Sequence, residues 1–406
     1  MKPGYLSQFF SGVAIKKLSA VEANPAKSNQ HEFNGVAELK GLFGLERRVY
    51  EAKFIYLGDN DEEAVVDGGT LTWYDARERH ATRSEHRMYF PTTSVSLCAA
   101  EGDLLVIGKR PDESVLCLIV QGDSTIANQV LWLFRVDVKT HHGFSVREEL
   151  ETEQDRLQFA SNVILEQMGI PVETTDDNYL EEMIKKFEGK FPKSRDFSRY
   201  ARSTVSGANP TEEPDQTLMA WMEREEILFR TMEKHTISER LKIGFEDDVD
   251  GFLTFSLSVQ NRRKSRAGFA LENHLEEVFQ TCKIRYGRHA ITEGRSQPDF
   301  LFPGREEYRD EHFDPIYLTM LGVKSTCKDR WRQVLAEAER IKRKHLFTLE
   351  TSISVNQTCE MQTNKLQLVV PEGLHSTYTE SQRTWLLNLA EFITVIRERQ
   401  LAAGLA

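Results

Sequence analysis

The feature that most constrains the fold is a change of hydrophobic period partway along the 406-residue chain. From Val13 to about Val138 the apolar residues come in short β-branched or aromatic runs, "VAIKKLSA", "RRVYEAKFIYLG", "GTLTWYDA", "DLLVIGK", "SVLCLIVQG" and "VLWLFRVD", separated by Gly, Asp, Asn or Pro. Runs of this length with turn residues between them predict strands, largely antiparallel, in a barrel or sandwich. A helical pattern over "SVREELETEQDRLQFASNVILEQMG" closes this part. Further on, the pattern alternates. Helices are predicted over "TLMAWMEREEILFRTMEKH", "GFALENHLEEVFQTC", "RWRQVLAEAERIKRK" and "ESQRTWLLNLAEFITVIRERQ". Strands are predicted over "DFLFP", "YLTMLGVK", "HLFTLE" and "LQLVVP". Alternation of that kind indicates an α/β domain around a mixed sheet.

Between the two patterns the chain is polar, rich in Pro, Gly and Ser, and lacks a sustained apolar period, which reads as a hinge. The expected organisation is a mainly β domain over 1–185, a linker over 186–215 and an α/β domain over 216–406, as the length allows.

With 40% apolar and 28% charged residues, the composition is that of a soluble globular protein. The net charge of -11 argues against a chain that coats nucleic acid by bulk electrostatics, but a local basic patch still binds phosphate. Five cysteines are dispersed without metal-ligand spacing, which fits reduced thiols in a cytoplasmic protein. No segment approaches the roughly 20 apolar residues of a membrane span, and no basic leader precedes an apolar core.

The chemistry is concentrated in the second half. Leu271, Leu275, Val278, Phe279 and Cys282 form an apolar stripe at helical spacing, and Glu272 borders it. A carboxylate there is an ordinary boundary glutamate, or it is paired with something positive, because burying it alone is costly. Pro298 and Asp299 open an apolar run, so Asp299 projects from the start of a strand, although a Pro-Asp pair by itself is a turn signal. In "YLTMLGVK" the alternation places Met320, Gly322 and Lys324 on one face and Thr319, Leu321 and Val323 on the other. In the helix expected next, Glu337 shares a face with Val334 and Ile341, while Glu339 and Arg340 point elsewhere. Three carboxylates and a lysine thus border buried surfaces in different elements. Oxygen ligands of this kind hold a hard divalent cation, and a cation with an added lysine suits phosphodiester hydrolysis.

Pro298-Asp299, Lys324 and Glu337 resemble the signature of the PD-(D/E)xK nucleases, in the form where the last acid has moved from the strand onto the next helix. More narrowly, "NRRKSRAG", "AITEGRSQPDFLFP", "VKSTCKDRWRQVLAEA" and "HLFTL" are similar to the EcoRII-type restriction endonucleases, from about Trp221 onward. The resemblance implies a restriction-endonuclease-like domain in which Asp299 and Glu337 bind Mg²⁺, Lys324 orients or activates the water, and Glu272 supports the metal site. It implies that Lys328, Asp329 and Arg330 read C·G pairs in the major groove, which suits their donors and acceptor. It also implies that Arg262, Arg263, Lys264 and Arg266 contact DNA phosphates; without it they read as a solvated basic turn.

In the first half, "VAIKKLSAVEAN", with Lys16 and Lys17, resembles the opening of the family's B3-like pseudobarrel, an effector domain that binds a second DNA site. "WYDARERHATRSEHRMYF" falls where that domain carries a DNA-contacting loop, so Arg77, Arg79, His80, Arg83 and Arg87 are expected on DNA; as residues alone they read equally as a charged hairpin. The implied whole is a Mg²⁺-dependent type II restriction endonuclease of a restriction-modification system, acting as a homodimer on double-stranded DNA at two or more sites. The implied site is CC/GG-flanked, CCWGG in the first instance. A companion DNA methyltransferase is expected without a stable complex. Two alternatives stand beside it: a repair or mobile-element nuclease of looser specificity, and a non-enzymatic B3-like DNA-binding regulator.

Overall fold

In the computed structural model, the described residues are all but 1, 3, 24–31, 34–36, 59–63, 81, 137–142, 173–175, 328–329 and 406, with the side chains at 177 and 264 also left aside. The chain divides into one unit of Met1–Val172 with Thr351–Ser354 and a second of Glu173–Glu350 with Val355–Ala406.

The first unit is built on an eight-stranded sheet. Its strands are β1 (Gly12–Lys17), β2 (Glu32–Phe33), β3 (Arg48–Leu57), β4 (Val65–Asp75), β5 (His86–Tyr89), β6 (Leu104–Lys109), β7 (Val115–Val120) and β8 (Ser145–Arg147). They lie in the order β2-β5-β4-β3-β7-β6-β1-β8, antiparallel throughout except for the parallel pair β3 and β7. The central strands read as continuous apolar runs because both faces of the sheet are covered. Leu104 and Val106 join a cluster with Phe10, Leu118 and Phe134, while Leu105 and Ile107 join another with Phe54 and Trp73.

One expected strand is helical. "VLWLFRVD" contributes Val130–Phe134 to α1 (Thr125–Phe134), and Ser124 Oγ accepts from the Ala127 amide at 3.1 Å to cap it. A short apolar run buried on several sides has no period to separate strand from helix. The long helical pattern after it resolves into β8 and a shorter helix, α2 (Phe159–Gln167).

The two units divide at Val172/Glu173, and the segment expected as a linker over 186–215 is helical in part. It contains α3 (Ser194–Ser203), whose Phe197, Tyr200 and Ala201 are buried with Met183, Leu228, Phe229 and Met232. Those three apolar positions at helical spacing sit among seven polar residues, which mask the stripe.

Two long helices follow, α4 (Pro214–Ile243) and α5 (Val249–Thr281). The second sheet comprises β9 (Gly287–Arg288), β10 (Phe300–Phe302), β11 (Thr319–Lys324), β12 (Lys344–Thr348) and β13 (Leu366–Val369), ordered β13-β12-β11-β10-β9. It is mixed as expected: β9, β10 and β11 pair antiparallel, and β11, β12 and β13 pair parallel. Phe279 of α5 lies edge-on to Phe300 and Phe302, 5.2 Å from each, and fixes the helix against the strand that begins after Asp299.

The helix expected over "RWRQVLAEAERIKRK" is only α6 (Trp331–Leu335). Continued to Lys344 it would run about 20 Å, whereas the chain must turn back to pair β12 parallel to β11. Ala338 makes the reversal with a φ of 49°. The last predicted helix is also interrupted. Asn388 Oδ1 accepts from the Glu391 amide and Glu391 Oε2 from the Asn388 amide, both at 2.8 Å, a capping box that starts α7 (Leu389–Ala402) afresh.

Candidate functional site

The β10–β11 edge brings a carboxylate and a lysine together. Phe300 pairs with Leu321, so Asp299, one residue before β10, stands beside the end of β11. Its Oδ2 accepts from the Val323 amide at 2.6 Å and lies 3.3 Å from Lys324 Nζ. Both side chains are largely covered, which strengthens their attraction relative to a surface pair.

Glu337 adds a second carboxylate from the turn after α6. Burial pushes its carboxyl up, Asp299 pushes it further, and Lys324 and Lys344 oppose that rise. Its Oε2 is buried without a hydrogen-bond partner among the described residues. Gly322 makes this approach possible: a Cβ there would stand 2.8 Å from Val334 Cγ2 of α6. The face assigned to Gly322 and Lys324 from the alternation is thus the one that meets α6.

Glu272 comes from α5, at the edge of the expected stripe, every member of which is buried. Arg288 of β9 donates to Glu272 Oε2 at 2.9 Å, to Glu276 at 2.6 Å and to Asn273 at 3.1 Å. His289 Nε2 lies 3.2 Å from the same Glu272 oxygen. Glu272, His289 and Asp299 each offer a ligand atom within 4.8 Å of the others.

These donors fit a divalent cation. Asp299 and Glu337 act on one another as like charges, and the unpartnered Glu337 oxygen has the character of a ligand atom.

The other expected site residues divide. Lys328, Asp329 and the side chain of Lys264 lie outside the described residues. Arg330 is exposed and donates to Thr326 Oγ1 at 2.6 Å. The "NRRKSR" stretch is part of α5, not a turn, and the charges of Arg262, Arg263 and Arg266 are engaged. Arg263 pairs with Glu233 at 2.7 Å, Arg266 pairs with Glu226, and Arg262 lies over the Phe191 ring at 4.4 Å. Burial raises Glu226, but Arg266 and then Arg230 more than offset it, leaving its carboxyl below the usual range.

In the first unit Lys16, expected on DNA, is 1% exposed, 2.7 Å from Glu22, and points into the core by the strand's alternation. Lys17 is on the outer face, 3.7 Å from Asp123. Arg77, Arg79, His80 and Arg83 are exposed. Arg77 pairs with Glu85, and Arg87 is held by Glu85 at 2.8 Å and Glu32 at 2.9 Å.

Sequence reasoning missed Arg288 and His289. They sit on and beside a two-residue strand without usable period, and only the sheet pairing with β10 brings them to Asp299.

The second unit is thus an α/β domain whose mixed sheet sets an acid and a lysine at neighbouring strand edges, with further acids from flanking elements. Residues 229–393 match the family model described as EcoRII C terminal. The type II restriction enzyme EcoRII of Escherichia coli is 42% identical over 205 residues, 50% of this chain and 50% of that protein. The match thus spans about half the length of that relative. Two solved structures are also similar, metal-depleted Ecl18kI in complex with uncleaved, modified DNA and the same protein with uncleaved DNA. Their identities are 16% and 18% and their TM-scores 0.43 and 0.44; each comparison covers 56% of this chain and 86% of the other.

Proposed function

We propose that the chain is a Mg²⁺-dependent type II restriction endonuclease that hydrolyses double-stranded DNA at a short CC/GG-flanked site, CCWGG first among them. The observation that carries the proposal is the convergence of Asp299, Lys324 and Glu337 on one sheet edge, within the segment that matches the EcoRII C-terminal family model. The 42% identity to a type II restriction enzyme supports the same reading.

Asp299 and Glu337 hold the cation, and Glu272, oriented by Arg288, borders the same place. A divalent cation bound there polarises the phosphoryl oxygen and eases deprotonation of the attacking water. Lys324, beside Asp299, orients the water and donates to the oxygen on which charge develops. Hydrolysis adds the water's hydroxyl to phosphorus, breaks one P–O ester bond and delivers a proton to the departing oxygen. Arg330, exposed at the start of α6, belongs with Lys328 and Asp329 to the base-reading triplet, and an arginine there donates to guanine O6 and N7.

The first unit, in this proposal, is a B3-like DNA-binding domain that takes a second copy of the site through Lys17, Arg79, His80 and Arg83, and the active species is a homodimer. Plasmids carrying one or several CC/GG-flanked sites, incubated with the full chain and Mg²⁺, test both parts. Faster cutting of the multi-site plasmid is expected. Equal rates remove the effector role, and a smear without discrete bands favours a repair or mobile-element nuclease.

A further inference from the structure

The carboxylates of the proposed nuclease site do not stand alone: a histidine side chain reaches them from β9's end. His289 Nε2 is 3.2 Å from Glu272 Oε2, and donor atoms of Glu272, His289 and Asp299 all lie within 4.8 Å of one another. Ligands bound at right angles about 2.1 Å from an ion are themselves about 3 Å apart, so the Glu272–His289 separation is that of neighbouring ligands on one cation.

The backbone holds the imidazole there. His289 adopts a φ of 50°, uncommon for a residue with a side chain, and its amide donates to the Asp299 carbonyl at 3.2 Å. The turn that presents the histidine is therefore tied to the residue that presents the aspartate. Arg288 donates to that same Glu272 oxygen and to Glu276 and fixes the glutamate's orientation, as outer-shell partners do for ligating carboxylates.

We infer that Glu272, His289 and Asp299 form a second cation position of mixed nitrogen and oxygen donors, sharing Asp299 with the all-oxygen position of Asp299 and Glu337. The two positions differ in chemistry. Imidazole favours first-row transition cations, whereas an all-oxygen set suits Mg²⁺. The mixed position takes Mn²⁺ or Co²⁺ in preference to Mg²⁺ or Ca²⁺. This rests on the reading of Asp299 as a metal ligand.

The test is Mn²⁺ titrated into the full-length protein without DNA, read by electron-spin-echo modulation from a directly bound nitrogen. The wild type is expected to show nitrogen coupling. His289→Ala and His289→Asn are expected to lose it and to bind Mn²⁺ at that position about 10-fold or more weakly. Asparagine tolerates the left-handed backbone, so the second variant keeps the turn, and metal-free thermal unfolding checks that both fold. Absence of coupling in the wild type, or its persistence in either variant, overturns the inference. Mg²⁺-dependent cleavage with no nitrogen coupling removes this second position alone, whereas coupling without cleavage at any cation removes the nuclease reading.

Discussion

Lys324 Nζ stands 3.3 Å from Asp299 Oδ2, the same oxygen that accepts the Val323 amide at 2.6 Å. One side-chain ammonium and one amide thus converge on an oxygen at the edge of a buried sheet, while Glu337 approaches with its own carboxyl pushed up by burial and by Asp299. Asp299 raises the Glu337 carboxyl, whose Oε2 has no hydrogen-bond partner among the described residues, and that is the basis for assigning a cation to the site.

Lys324→Ala is expected to slow single-turnover DNA cleavage by about 10²–10³-fold, the usual effect of removing one donor to developing charge. Asp299→Ala removes a ligand and is expected to abolish cleavage. Both variants should keep sequence-specific binding in a gel-shift assay. Loss of binding in step with cleavage would make these residues part of readout instead.

Glu337→Gln separates stability from function. The folded carboxyl titrates above the ordinary 4.5, so as pH rises the unfolded chain gives up its proton first and the native state is the one that binds more protons. Stability associated with the protonated group is full below the unfolded value and lost as pH rises through the folded one. The glutamine variant escapes that loss. In metal-free buffer its Tm should exceed the wild type's by more at pH 7 than at pH 4, and Mg²⁺ should narrow the difference while cleavage stays absent.

Lys16 and the exposed arginines of the first unit are expected to behave oppositely. Lys16→Ala leaves Glu22 without its lysine partner in the core, and breaking a buried pair costs about 3–5 kcal/mol of unfolding free energy. Its effect on the salt dependence of DNA binding should be nil. Arg79→Ala with Arg83→Ala should leave Tm nearly unchanged and reduce the slope of log K against log salt by about 0.9 for each DNA phosphate that is no longer neutralised. Denaturant unfolding and binding titrations across salt check the pair.

Gly322→Ala tests how the site is packed. The added methyl would meet Val334 at 2.8 Å, and overpacking of this kind costs about 1–3 kcal/mol. Because Val334 belongs to the element that leads into Glu337, cleavage should fall by more than the loss of folded protein accounts for. Restored activity in Gly322→Ala with Val334→Ala would locate the effect at that point of packing.

These residues also mark where the sequence is legible. The buried stripe of α5 and the alternation of β11 follow from local period, so Glu272, Gly322 and Lys324 fall on the expected faces, and Asp299 at the expected strand start. Local period says nothing of pairings between helices. Glu226 and Glu233 on α4 engage Arg266 and Arg263 on α5, and only folding brings them together. His289 is hidden for the same reason. Glu337 is legible as an acid beside an apolar face, but its helix ends two residues earlier because the chain must return to form β12. The buried role of Lys16 has a faint signal, its alternation with Ala14 and the glutamate at position 22, and the second lysine beside it obscures that signal.

The most direct measurement is a digest of DNA of known sequence by the purified full chain with Mg²⁺, its fragment ends mapped by sequencing. Cuts at discrete positions within CC/GG-flanked sites, abolished on adding chelator and in Asp299→Ala, are predicted. No cleavage at any such site, or ends scattered without a common sequence, would contradict the account.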